Sequence, residues 1–157
     1  MNIPTREECL DILNNNKTPF NVIEHSKAVA EFAEGIVEKL IKNGIKVNKK
    51  LVIAAALLHD IEREKKNHVI EGANLLKKLG FPEVAEVVKK HSLYQIEKKE
   101  FQPHTIEEKI VFYADKRIKG KIATSLKERF DDLKERYDVD LTGEFKLSKR
   151  IEEELNQ

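Results

Sequence analysis

His59 and Asp60 stand side by side where an unbroken apolar run, Leu51 to Leu58, gives out. An imidazole and a carboxylate are costly to bury without partners, so their place at the edge of an apolar block implies something for them to hold. His25 lies four residues before Val29 and seven before Phe32, on the inward face of a helix. Asp115 closes the run Ile110, Val111, Phe112, Ala114 on the inner side of another. Each of these residues alone has a plain structural explanation. An inward histidine usually hydrogen-bonds within the core, and an aspartate near a helix end is usually solvated. Together they ask for more. One divalent cation offsets the desolvation of buried carboxylates and orients neutral imidazoles, and so accounts for all four.

Histidine and carboxylate ligands without thiolates suit Mn, Fe, Co, Ni or Zn, and the ligand types do not choose among them. An ion held with open positions lowers the pKa of bound water towards neutrality and polarises a phosphoryl oxygen. Hydrolysis of a phosphoester or phosphoanhydride is the natural reaction.

The elements that must position these groups read as helices almost throughout. Thr5 to Glu8 is a capping box that opens a short helix, fading in the Asn14 to Asn16 run before Pro19. A long helix follows from about Asn21 to Asn43, with Val22, Val29, Phe32, Ala33, Ile36 and Leu40 on one face and Gly44 as its stop. Asn48 caps a third helix whose middle is apolar on all sides, which places it at the centre of a bundle. Asn67 caps a fourth, His68 to Leu79, and Pro82 starts a fifth that runs to about Ser92. A polar connector, Tyr94 to His104, has no helical stripe. Thr105 to Glu108 is a second capping box, opening a sixth helix through Asp115 towards Gly120. Two charged amphipathic helices, near 121–137 and 144–155, close the chain. No alternation is strong enough to place a sheet, and there is no repeat or low-complexity linker. The expectation is a single all-α bundle over residues 1–157.

Composition removes several function classes. Lys+Arg is 29 and Asp+Glu 28, a net charge of +1, which argues against a protein built to grip nucleic acid. Aromatics at 6% with no tryptophan weaken a base-stacking role. Cys9 is the single cysteine, so there is neither a disulfide framework nor a thiolate zinc site, and it is expected as a half-buried hydrophobe of the first helix. The longest apolar run, eight residues, is far short of a membrane span, and the N-terminal residues lack a secretory pattern. A cytoplasmic location is the default expectation.

The order His25, His59-Asp60, Asp115, with AALLHDIE around the second motif, resembles the HD superfamily of metal-dependent phosphohydrolases, and within it the subgroup with His-Asp-Ile-Gly. The resemblance covers about residues 20–120, leaving the helices of about 121–157 to pack on that core. It implies a helical bundle in which His25, His59, Asp60 and Asp115 bind one ion. His68 in HVIEGANLL and His91 in VVKKHS are similar to the further histidines of two-metal members. The resemblance therefore implies a second ion on His68 and His91, bridged by Asp60. Two positions depart from the pattern. Glu62 replaces the glycine, removing backbone freedom and adding a negative charge beside the site, and Ser92 follows His91 where some relatives pair histidines.

A phosphate also wants fixed cations. Arg63, where similar proteins often carry a lysine, offers a planar fork, and Lys116 after Asp115 is the second candidate. Asp60 and Arg63 are thus the expected catalytic pair, and Arg63 and Lys116 the substrate-binding ones. The connector is placed to act as a lid, with Tyr94 and Phe101 either stacking on a base or pinning the loop. The expected substrate is a nucleotide or related small phosphorylated metabolite, with homo-oligomerisation open. The alternatives are a di-iron oxygenase built on the same ligands and a non-catalytic metal- or ligand-binding module.

Overall fold

The structure is a computed structural model that describes residues 1–156. Its elements in order are α1 (Arg6–Asn15), α2 (Phe20–Lys42), α3 (Lys49–Leu58), α4 (His68–Lys78), α5 (Pro82–Lys89) and α6 (Ile106–Arg117). A two-stranded hairpin follows, β1 (Ile118–Lys119) and β2 (Ile122–Ala123), and then α7 (Leu126–Tyr137) and α8 (Thr142–Leu155). The fold is all-α.

Local chemistry sets the helix starts. Thr5 and Thr105 each form the full capping box, with Glu8 and Glu108 reaching back to the cap N–H. Asn48 accepts from the Leu51 N–H, and Ser125 from the Glu128 N–H. Asn67 occupies the cap position of α4 but makes no side-chain cap bond, so that expected cap is one of place only.

Helix α3 is the hub. It packs against α1, α2, α5 and α6, and from Leu51 to Leu58 only Ile53 retains appreciable exposure. An apolar helix surrounded on every side needs no polar face, and each buried Leu or Val there contributes about 2 kcal/mol. Helix α4 packs on α5, and α7 and α8 pack on α6. Cys9 is fully buried rather than half-buried, and burial, then the neighbouring Glu8 charge, push its thiol up to about 12.

The hairpin is the main departure from a purely helical reading. Helix α6 stops at Arg117, Ile118 pairs with Ala123 and Lys119 with Ile122, and Gly120 takes a left-handed φ of 62° in the turn. Helix α7 therefore begins at its Ser125 cap and not near residue 121. Helix α5 stops at Lys89, and the chain passes His91 in a turn instead of continuing helical to Ser92.

Candidate metal centre

Four elements converge on one spot. The second turn of α2 supplies His25, the end of α3 supplies His59 and Asp60, the turn after α5 supplies His91, and the last turn of α6 supplies Asp115. His59 Nε2 lies 3.3 Å from Asp115 Oδ1 and 3.4 Å from Asp60 Oδ2. His25 Nε2 is 3.2 Å from the same Asp115 oxygen and 3.9 Å from Asp60 Oδ2. His91 Nε2 is 3.6 Å from Asp60 Oδ1. Two overlapping donor sets result, His25–His59–Asp115 and His59–Asp60–His91, each compact enough to hold a metal ion.

The imidazoles are fixed in one sense. His25 Nδ1 meets the Gly120 carbonyl at 2.7 Å, His59 Nδ1 the Ala56 carbonyl at 2.6 Å, and His91 Nδ1 the Val88 carbonyl at 2.6 Å. A carbonyl only accepts, so each Nδ1 carries a proton and each Nε2 is the nitrogen turned towards the carboxylates, that of His25 within hydrogen-bond distance of Asp115 Oδ1 at 3.2 Å. His59 is completely buried, and its Nε2, close to two carboxylates but aligned with neither, has no hydrogen-bond partner. An orphaned buried nitrogen between two acids is what a cation would satisfy. The donor set fits a divalent metal.

The electrostatics point the same way. Burial pushes Asp115 up, yet the Lys116 ammonium, His25 and His59 hold its carboxyl well below the usual range. Burial likewise opposes ionisation of Asp60, and His59 and then His91 hold it well below its usual value. Burial disfavours a charged His59, but the Asp60 and Asp115 carboxylates raise it well above an ordinary histidine. Without a metal, a proton on His59 supplies the positive charge that the carboxylates draw in, and a metal ion competes with that proton.

The other expected site residues fall around this cluster. Arg63 is exposed and lines the same groove, with Nη1 3.3 Å from His68 Nε2. His68 lies outside both donor sets. Burial, then the Arg63 charge, pull it below the ordinary histidine value, so it is neutral and accepts from Arg63. Lys116 is not a solvated side chain. It is 3% exposed, and its Nζ donates to the His91 carbonyl at 2.9 Å and to Asp115 Oδ2 at 3.0 Å.

Glu62 needs no glycine-like backbone, since its φ is not positive. Its buried carboxylate accepts from the Asn16 amide at 2.6 Å and pairs with Lys65 at 2.7 Å, so the charge expected beside the site is matched by Lys65 and turned towards the end of α1. In the connector, Tyr94 and Phe101 pack edge to face at 5.3 Å, and Phe101 is buried. These rings pin the loop. Sequence reasoning missed the Gly120 carbonyl that orients His25 and the burial of Lys116. The glycine between Ile118 and Ile122, which the structure puts at a positive φ, was the available signal for the first.

A family model described as the HD domain matches residues 22–118. A protein of Methanocaldococcus jannaschii, described as uncharacterized, is 33% identical over 159 residues, covering 92% of this chain and 91% of the relative. Two proteins named tRNA (cytidine(56)-2′-O)-methyltransferase are also similar. That of Picrophilus torridus is 34% identical over 143 residues, 82% of this chain and 40% of the relative. That of Thermoplasma volcanium is 32% identical over 148 residues, 85% of this chain and 42% of the relative. This chain thus spans about two-fifths of the two methyltransferases. No solved structure matches it.

Proposed function

Because the chain belongs to the HD-domain family, we propose that it is a metal-dependent phosphohydrolase acting on a nucleotide or related small phosphorylated metabolite. The observation that carries this reading is His59 Nε2, buried and unpartnered between Asp60 and Asp115. His25, His59, Asp60 and Asp115 would hold one ion. Asp60 and His91 would hold a second, and His68 would join them by releasing its contact with Arg63. Such an ion supplies a hydroxide near neutral pH and a Lewis acid for a phosphoryl oxygen.

The chain's own residues do the rest. Carbonyls of Ala56, Val88 and Gly120 keep the three imidazoles in the tautomer that presents Nε2. Arg63, exposed in the groove and freed when His68 turns to the ion, offers its fork to a phosphate oxygen. Lys116 holds Asp115 and the His91 backbone in place. Two relatives bear the names of tRNA methyltransferases, which is a reason to include RNA ends among the substrates tried.

The test is metal analysis of protein purified without chelator, beside phosphate release from a nucleotide panel with Mn, Co and Ni. The expected result is at least one bound transition metal per chain, and turnover that falls to background with chelator or with Asp60→Asn. Oxygen uptake without phosphate release would replace this reading by the di-iron oxygenase. Bound metal with no turnover of any kind would replace it by a non-catalytic module.

A further inference from the structure

The groove that contains the imidazole–carboxylate cluster, about 1220 Å3 in volume, does not end there. Beyond Ile118, where the family match stops, its wall continues with Lys119, Lys121, Ile122, Arg129 and Arg136. Four of these five are cations, and the acids nearby do not balance them. Asp132 is already taken, by Lys119 at 3.0 Å and Arg136 at 2.9 Å. Glu128 also lines the groove, but no ion pair joins it to Lys121 or Arg129 among the described residues.

Arg129 is the informative member. It is half-buried, its guanidinium makes no side-chain hydrogen bond or close ion pair among the described residues although its charge reaches the Asp132 carboxylate, and its Nε is shielded from solvent with no partner. An N–H in that state has lost its water without gaining an acceptor, a cost that an arriving anion would offset. A guanidinium fork suits phosphate in particular, and Lys121, likewise unpaired among the described residues, adds a second positive charge on the same wall. The groove also carries Phe20 and Ile122, 76% and 72% exposed, two large apolar side chains that the core does not use. An exposed aromatic ring beside an aliphatic side chain suits a nucleobase, the ring for stacking and the aliphatic for apolar contact.

We propose that Arg129 and Lys121 form a second phosphate subsite, and that the substrate is a nucleoside carrying phosphate on both sides. One phosphate lies at the metal cluster, the nucleoside against Phe20 and Ile122, and the other phosphate against Arg129. The near end of this arrangement rests on the phosphohydrolase reading; the far end stands on Arg129 and Lys121. A nucleoside 3′,5′-bisphosphate and a 5′-phosphorylated RNA end share this chemistry. The segment that builds the subsite lies outside the stretch matched by the family model, so it would distinguish this chain's substrate from that of a bare HD core.

The experiment compares kcat/KM for adenosine 3′,5′-bisphosphate, a 5′-phosphorylated adenosine dinucleotide and adenosine 5′-monophosphate, using manganese-loaded full chain. It is run on the natural sequence and on the double variant Lys121→Gln, Arg129→Gln, with thermal unfolding as the folding control. The expected result is a preference of about tenfold for the doubly charged substrates, carried by KM, that collapses towards one in the variant. The larger of the two preferences identifies the free nucleotide or the RNA end as the source. Monophosphate turned over as well as the others by the natural sequence, or a preference that survives in the variant, overturns the subsite. Should no substrate turn over, equilibrium dialysis of the bisphosphate against the same loaded protein decides. Binding weakened about tenfold in the variant keeps the subsite and removes only the hydrolase reading, whereas equal binding removes the subsite.

Discussion

Replacing Lys116 by methionine measures how firmly the cluster is built. The substitution keeps the length and packing of the stem but removes the ammonium that reaches the His91 carbonyl at 2.9 Å and Asp115 Oδ2 at 3.0 Å. It also removes a cation over the Phe112 ring at 4.6 Å. With the lysine only 3% exposed, solvent cannot take over either contact. Breaking a buried ion pair costs about 3–5 kcal/mol, and the lower end applies here because Asp115 keeps His25 and His59 beside it. Unfolding entropy of about 2.1 cal/mol/K per residue gives about 0.33 kcal/mol/K for a chain of 157 residues. A loss of about 3 kcal/mol then lowers Tm by about 9 °C. Thermal unfolding followed by circular dichroism, in chelator, reads this directly. Added manganese should narrow the gap, because a bound ion restores positive charge beside Asp115. A fall in Tm of under about 2 °C in chelator would mean that the lysine is solvated and that the account of the cluster's support is wrong.

Two further outcomes follow from other parts of the molecule. Glu108, buried at the start of α6, accepts from the His104 and Thr105 N–H groups and from Lys90. Burial pushes its carboxyl up, but those three donors outweigh it and hold the group below its usual 4.5. Its contribution to stability is therefore complete above that value and lost as the pH falls through the lower folded-state value. Urea unfolding from pH 7 to 3 should show a shallower acid decline for Glu108→Gln, and identical slopes would contradict the pairing. Gly35 sits in the middle of α2, and a Cβ there would meet nothing within 4 Å. Gly35→Ala should stabilise the chain by about 0.5–1 kcal/mol in the same urea assay, and a destabilisation would show that the exposed face of α2 is not free.

How much of this was legible beforehand depended on whether a residue's role is written in its own neighbourhood. The apolar run of α3 ends at His59, and that single local fact made the motif visible. The capping boxes at Thr5 and Thr105 could be read for the same reason, since donor and acceptor are three residues apart. The hairpin at 118–123 was hidden because strands of two residues are too short for alternation to register against a helical background. Lys116 was hidden because a chain this rich in lysine gives no sign of which ammonium is buried. Glu62 was misread because its partner, Asn16, lies 46 residues earlier, at the end of a helix whose packing on α3 the sequence does not specify.

The same device fixes two of the three imidazoles, and its limits explain the third. A helix leaves carbonyls of its last turn without a full set of N–H donors. Helix α3 ends at Leu58 and α5 at Lys89, so Ala56 and Val88 can each accept from a histidine three residues on. Placing a histidine just past a helix end therefore orients it without any long-range partner. His25 cannot be served this way, because it sits within α2, where the carbonyls are already engaged by the helix. Its Nδ1 needs an acceptor from elsewhere in the chain, and the turn of the hairpin brings the Gly120 carbonyl to it. An all-helical chain would have oriented His59 and His91 from their own helix ends and left His25 Nδ1 without this acceptor, held only through Nε2 by Asp115. The short β-turn after α6 is accordingly part of the candidate metal centre, and the chain leaves its helical pattern at the point where a helix could not do the work.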